Sequence, residues 1–162
     1  MSVGVTESAK RGTVLSCCIS VKKGTRKVPV DSIEVCVGEG IKGDAHAGNW
    51  HRQVSLLGNE SVDTMRKKGA QLHPGDFAEN ILTSGLALRE LPVGTVLAIG
   101  DTLLGVTQIG KVCHHDCEIR KLVGTCVMPT DGIFTVVLRG GTIKPGDSIR
   151  VVDAKELLHE TN

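Results

Sequence analysis

Aromatic side chains are almost missing: the 162 residues hold one Trp, two Phe and no Tyr. A protein that stacks nucleobases on aromatic platforms usually carries more. Charge of one sign is missing too. Lys plus Arg number 19 against 18 Asp plus Glu, a formal net charge of +1, which argues against a broad nucleic-acid footprint or a polybasic membrane patch. The opening MSVGVTESAKRG contains no apolar core of a secretory signal. The longest apolar stretch, Thr13 to Val21, includes two Cys and two Ser and is far shorter than a membrane span. The expectation is a chain that works in the cytoplasm without membrane or nucleic acid. Nothing suggests an oxidising compartment, so the six cysteines read as thiols rather than disulfides.

What is abundant is glycine, 20 residues, well above the usual share of about 7%. Between the glycines lie short β-branched runs, the signature of many strands joined by tight turns. Gly12–Val21 and Val28–Val37 read as a hairpin around the basic turn Lys22–Lys27. Gln53–Leu57 reads as a short buried strand. Asn59 followed by Glu60–Lys68, with Gly69 just beyond, predicts one surface helix. Ile81–Leu82, Val96–Ile99, Leu103–Gln108, Ile133–Leu138 and Ser148–Val152 are further strands. Turn residues at Pro74-Gly75-Asp76, Gly100-Asp101 and Pro145-Gly146-Asp147 separate them. No regular βαβ alternation, repeat or linker is visible. The prediction is therefore one mainly β domain, a closed or partly closed barrel with one or two short helices.

Three stretches carry candidate chemistry. In Gly40-Ile41-Lys42-Gly43-Asp44-Ala45-His46-Ala47-Gly48, followed by Trp50-His51-Arg52, an extended backbone would set Lys42, Asp44 and His46 on one face. Lys42 and Arg52 suit an anion such as a phosphate. The bland reading is a glycine-rich surface loop closed on its own backbone, and the His/Asp spacing matches no strong metal motif. In Pro74-Gly75-Asp76-Phe77-Ala78-Glu79-Asn80, Asn80 offers both donor and acceptor to a heterocycle edge; otherwise it caps a turn.

The third stretch is the most informative. Lys111-Val112-Cys113-His114-His115-Asp116-Cys117-Glu118-Ile119-Arg120-Lys121, with Cys126 nearby, surrounds thiols with cations. Positive neighbours raise the thiolate fraction needed for nucleophilic attack or soft-metal ligation. Cys113, Cys117 and Cys126 are also candidate ligands of zinc or an iron–sulfur group, although their spacing departs from paired C-x2–4-C motifs. Cys17, Cys18 and Cys36 sit in apolar strand patterns and read as buried, inert thiols.

Taken in order, GIKGDAHAGNWHRQVSLL, PGDFAENILTSGLAL with LPVGTVLAIGD, TQIGKVCHHDCEIRKL and CVMPTDGIFTVVLRGGTIKPGDSI resemble the MOSC family, named for the C-terminal domain of molybdenum cofactor sulfurase. The likeness runs over about residues 10–152, leaving 153–162 as a tail, and treats residues 1–162 as a single domain. It implies a β-barrel that binds molybdenum cofactor (molybdopterin), or its tungsten analogue, or carries sulfur as a cysteine persulfide. The family's cysteine matches Cys113 best, while relatives similar to amidoxime-reducing proteins allow Cys117. His114 would orient or deprotonate that thiol. Lys42, Asp44, His46, Arg52 and Asn80 would bind the cofactor, with Lys42 or Arg52 at its phosphate and Asn80 at its pterin edge. The pyridoxal phosphate desulfurase domain of full-length sulfurases has no counterpart in these residues. The implied partners are therefore a separate cysteine desulfurase or cofactor-biosynthesis proteins, with molybdoenzymes as acceptors. Reduction of N-hydroxylated compounds with an external electron donor, or a non-enzymatic zinc or iron module, are the competing expectations.

Overall fold

The computed structural model describes residues 11–69, 71–111 and 128–153. Its strands are β1 (Arg11–Ile19), β2 (Val28–Val30), β3 (Ile33–Cys36), β4 (Gly40–Ile41), β5 (Val54–Gly58), β6 (Ile81–Ser84), β7 (Val96–Ile99), β8 (Thr102–Ile109), β9 (Ile133–Arg139), β10 (Gly141–Ile143) and β11 (Ser148–Val152). One helix of two turns, α1 (Asn59–Arg66), and a single turn, α2 (Met128–Asp131), join them. Seven strands close a barrel in the order β1–β11–β7–β8–β9–β5–β6 and back to β1. The fold is mainly β, as the glycine-punctuated runs predict.

Every barrel pairing is antiparallel except β5 with β6. Parallel neighbours need a crossover, and here it carries α1. All five residues of β5 are buried because both faces are covered. Val54 and Leu56 point into the barrel core with Ile81, Leu97, Leu104 and Ile133. Leu57 joins a second, outer cluster with Val62 of α1, Phe77, Met128 and Phe134. A strand covered on both sides loses the polar alternation of a half-exposed one, and QVSLL reads that way in the sequence.

Two elements differ from expectation. The run Val28–Val37 is not one strand. β2 pairs with β1, whereas β3 leaves the barrel to pair with β10 and β4 in a small three-stranded sheet. Pro29 has no amide to donate, which restricts its strand to an edge, and Asp31-Ser32 breaks the run before β3. At α1 the cap is Gly58 rather than Asn59. The Asn59 side chain instead accepts from Arg66 at 2.8 Å, and Arg66 also pairs with Asp63 at 2.8 Å. The helix ends at Arg66, earlier than the expected Lys68, and Gly69, whose φ of +98° favours glycine, lies in the turn that follows.

Gly75 shows why the PGD turn is placed where it is. Its φ is +90°, and an added Cβ would collide with the carbonyl oxygen of Lys27. Lys27 in turn donates its amide to the Gly75 carbonyl at 2.8 Å. The turn thus clamps the segment that carries Lys27. Gly75→Ala is expected to lower stability by about 2–4 kcal/mol, through backbone strain plus the clash. Urea denaturation would read this as a lower midpoint at unchanged m, and an unshifted midpoint would refute the clamp.

Candidate functional site

The glycine-rich segment 42–53 is held down by hydrogen bonds rather than by regular structure. Ala45 donates its amide to Ser20 O at 2.7 Å and Gly48 to Glu39 O at 2.6 Å. Trp50 Nε1 donates to His46 O at 2.8 Å. Gln53 bridges the segment to β9, donating to Gly48 O at 3.1 Å and accepting from the Val137 amide at 2.9 Å.

At its base lies a buried ion pair. Lys27 Nζ reaches Asp44 Oδ1 at 2.7 Å, and neither side chain is exposed. Asp44 also accepts from the Ser20 amide at 3.1 Å and the His46 amide at 3.1 Å. Lys27 completes its set with Ser20 Oγ at 3.2 Å and His46 Nδ1 at 3.0 Å. Such a pair offsets its desolvation only when the remaining donors and acceptors are satisfied, and here they are. Burial lowers the Lys27 pKa while Asp44 holds it up. Burial, then the charge of Lys27, pulls the His46 pKa down to about 4, with Asp44 opposing and Lys111 and Lys23 adding to the depression.

Above this pair is a cavity of about 190 Å³, lined by Lys23, His46, Trp50, Arg52, Lys111 and Phe134. Three of these are cations, and among the described residues no carboxylate lines the cavity. Trp50 organises the charges: Lys23 Nζ lies 5.0 Å from its ring centroid and the Arg52 guanidinium 4.7 Å, while His46 stacks on it at 6.3 Å and 6°. Arg52 also covers the Phe134 ring at 5.5 Å. Its Nε is buried with no hydrogen-bond partner among the described residues. A buried donor without an acceptor is costly, and an anion entering the cavity supplies one. The volume suits an oxyanion group rather than a whole drug-sized ligand. A larger cavity of about 390 Å³ at Gly58, Glu60, Leu86, Arg89, Glu90 and Asp131 carries three carboxylates against one Arg, the wrong sign for an anion.

Of the residues predicted for cofactor binding, the structure brings His46 and Arg52 together at the cationic cavity. Lys42, Asp44 and His46 do not share a face. Gly43, at φ +85°, turns the chain. Lys42 points out to Glu34 at 3.7 Å with its side chain 76% exposed, while Asp44 is drawn down to Lys27. Asn80 is spent on the barrel: its Oδ1 accepts from the Ser55 amide and hydroxyl at 3.0 and 3.2 Å, and its Nδ2 donates to Cys18 O at 3.1 Å. It presents no free edge to a heterocycle. The sequence reading missed Lys23 and Lys27, and it placed Lys111 beside the thiols of the third stretch rather than with the glycine-rich one. Only Trp50 gave a signal, as the lone Trp beside Arg52.

Burial pushes the thiols of Cys17 and Cys18 up to about 12, which leaves them protonated and inert. Cys113, His114, Cys117 and Cys126 lie outside the described residues. Among the described residues no group of three or more His, Cys, Asp or Glu is placed to hold a metal, and no helix is long and apolar enough to cross a membrane.

The pKa directions set a pH dependence of stability. His46 titrates near 6.5 when unfolded and near 4 when folded, so the unfolded chain binds its proton first as pH falls. Stability is lost across that window, by about 2–3 kcal/mol from this ring. Glu79, buried and accepting from the Gly75 and Phe77 amides at 2.7 and 3.1 Å, is raised to about 7 by burial. Its contribution is present below its ordinary value of 4.5 and lost as pH rises through 7. His46→Gln is expected to flatten the acid limb and leave the Glu79 limb intact. Urea midpoints at about pH 4 and 7 measure this; an acid limb as steep as in the wild type would contradict it.

Comparison with known proteins adds a family. The model of the MOSC domain matches residues 43–150, a span that includes His46, Trp50, Arg52, Lys111 and Phe134. Among solved structures, YuaD from Bacillus subtilis is 20% identical with a TM-score of 0.73, over 87% of this chain and 95% of that one. YiiM from Geobacillus stearothermophilus is 20% identical with a TM-score of 0.68, over 88% and 75%. YiiM from Escherichia coli is 19% identical with a TM-score of 0.60, over 88% and 68%. None of the curated proteins matches significantly.

Proposed function

Because the chain belongs to the MOSC domain family, we propose that it binds molybdenum cofactor, or carries sulfur for metalloenzymes, through a cysteine thiolate beside the cationic cavity. The observation that carries this reading is the place of Lys111. It lines the cavity with His46 and Arg52, and Cys113 follows it two residues along the chain. Two peptide units span at most about 7 Å.

The cavity fits the phosphate end of the cofactor. Lys23, Arg52 and Lys111 supply charge, and the orphaned Arg52 Nε supplies a donor that needs an oxygen. Stacking on Trp50 and Phe134 fixes the plane of the guanidinium, so an oxyanion meets a preset fork rather than a free side chain. Bound molybdenum would contribute a soft centre that takes a thiolate ligand. In sulfur transfer, Cys113 accepts a sulfane sulfur from a separate desulfurase and yields it to an acceptor enzyme, its cationic neighbours keeping it ionised. Cys117 is the alternative position for the same thiolate.

Two measurements test the reading. Protein expressed with molybdate and purified without oxygen should retain molybdenum, or show one added sulfur by intact mass, and Cys113→Ser should abolish whichever is found. Neither signal, under conditions that load a known binder, would overturn the proposal. Arg52→Ala should weaken binding of inorganic phosphate by about tenfold or more, the loss of a charge-assisted bond, while the surface change Lys144→Ala leaves it unchanged. Equal phosphate affinity for wild type and Arg52→Ala would remove the anion site.

A further inference from the structure

The buried ion pair does more than anchor the segment 42–53. An ammonium has three protons to donate and no lone pair to accept with. Lys27 directs its three to Ser20 Oγ, Asp44 Oδ1 and His46 Nδ1, at 3.2, 2.7 and 3.0 Å. Ser20 Oγ gives its own proton to Lys22 O at 2.9 Å, so it can only accept from Lys27. Asp44 holds the charge on Lys27 in place. His46 Nδ1 must then be an acceptor, and the ring proton sits on Nε2, on the edge turned away from Lys27. That edge belongs to a ring that lines the cationic cavity.

We propose that Lys27 is a positioning residue that fixes His46 as an Nε2–H hydrogen-bond donor to a tetrahedral oxyanion in this cavity, so that the site recognises anions with an uncharged donor beside three permanent cations. The inference rests on the anion-site reading above and deepens it by assigning the protonation state of one of its groups. The groups facing the ring come from four places. Lys27 stands behind it on the approach to β2, Asp44 lies on its own segment, Lys23 comes from the β1–β2 turn and Lys111 from beyond β8. Arg52 and the edge of His51 reach it through Trp50. Among the described residues only Asp44 is anionic there, and it is already paired with Lys27. Protonating the ring would place a fourth positive charge among them, and burial opposes that further.

A consequence follows for selectivity. A histidine that charged in the ordinary range would make anion binding strengthen as pH falls. A ring locked as a neutral donor contributes equally across that range, and any pH dependence of binding then comes from the ligand or from other groups.

Long-range 1H–15N spectra of the ligand-free wild-type protein read the tautomer directly, with His46 assigned by the signals lost in His46→Gln. The expected pattern is a proton on Nε2 and a bare Nδ1, unchanged between about pH 5 and 8. A ring protonated on Nδ1, or one titrating near 6.5, overturns the inference. Sulfate, which does not itself titrate in this range, serves as the probe for the donor role. His46→Gln, which keeps a donor, should bind sulfate within about threefold of wild type at every pH tested. His46→Leu should bind about tenfold more weakly. Equal affinity for His46→Leu and wild type, or a wild-type to His46→Gln ratio that changes with pH, also overturns it. Lys27→Met should erase the tautomer preference; where that variant does not fold, the wild-type spectrum alone decides. The expected tautomer in protein that binds no sulfate supports the positioning role and overturns the anion site on which it was built.

Discussion

The Lys27–Asp44 ion pair is the constraint on which the site depends. Two opposite charges, both with side chains fully buried, meet between the approach to β2 and the glycine-rich segment. Removing either partner strands the other in a low-dielectric interior at a cost of about 3–5 kcal/mol. That penalty makes the alternative arrangements of the segment unfavourable. A stretch with four glycines among residues 38–48 would otherwise sample many conformations. The pair converts it into a fixed platform on which Trp50 and Arg52 sit, and backbone bonds from Ser20, Glu39 and Gly48 complete the hold.

Trp50 then distributes what the pair secures. Lys23 and Arg52 both lie over its indole ring, where the attraction of a cation to the aromatic quadrupole compensates part of the repulsion between like charges. Net charge for the chain is only +1, so the positive field is local rather than global. This combination suits a ligand whose anionic end enters a small cavity while the remainder lies outside it, and it accords with the near absence of other aromatics. The scarce rings Trp50 and Phe134 are placed at one site.

The barrel was legible in the sequence because its strands obey simple rules: apolar runs of strand length, bounded by glycine and Pro-Gly-Asp turns, with one helix followed by the turn at Gly69. The places where it was not legible have particular reasons. Val28–Val37 looks continuous by composition, and only Pro29 and Asp31 mark the point where one strand becomes two that enter different sheets. Asn80 offers the same groups to a ligand as to Ser55 and Cys18, and sequence alone does not say that the barrel uses them. Lys27 was the least visible. A lysine in a run of basic turn residues reads as solvated, and its burial arises from Asp44, seventeen positions away, and from the PGD turn far beyond that. Arg52 and His46 were recognised because cation and imidazole beside glycine already suggest an anion. Lys23 was not, and Lys111, read as a neighbour of the thiols, was not linked to them, since each sits in a segment of the chain remote from that motif.

The closure of the barrel has a kinetic side. β1 completes its cylinder by pairing with β11, Arg11 opposite Arg150 and Thr13 opposite Ser148, so the last seam joins residues at nearly opposite extremes of the described chain. Contacts of such separation demand that a long loop be closed before any reward is gained, and topologies rich in them fold slowly. During synthesis, β1 emerges early and must wait for β11 with its edge unsatisfied on that side. Until then the nascent polypeptide presents an open strand to its surroundings, which makes the interval between translation of the first and last strands the period of greatest aggregation hazard for this protein.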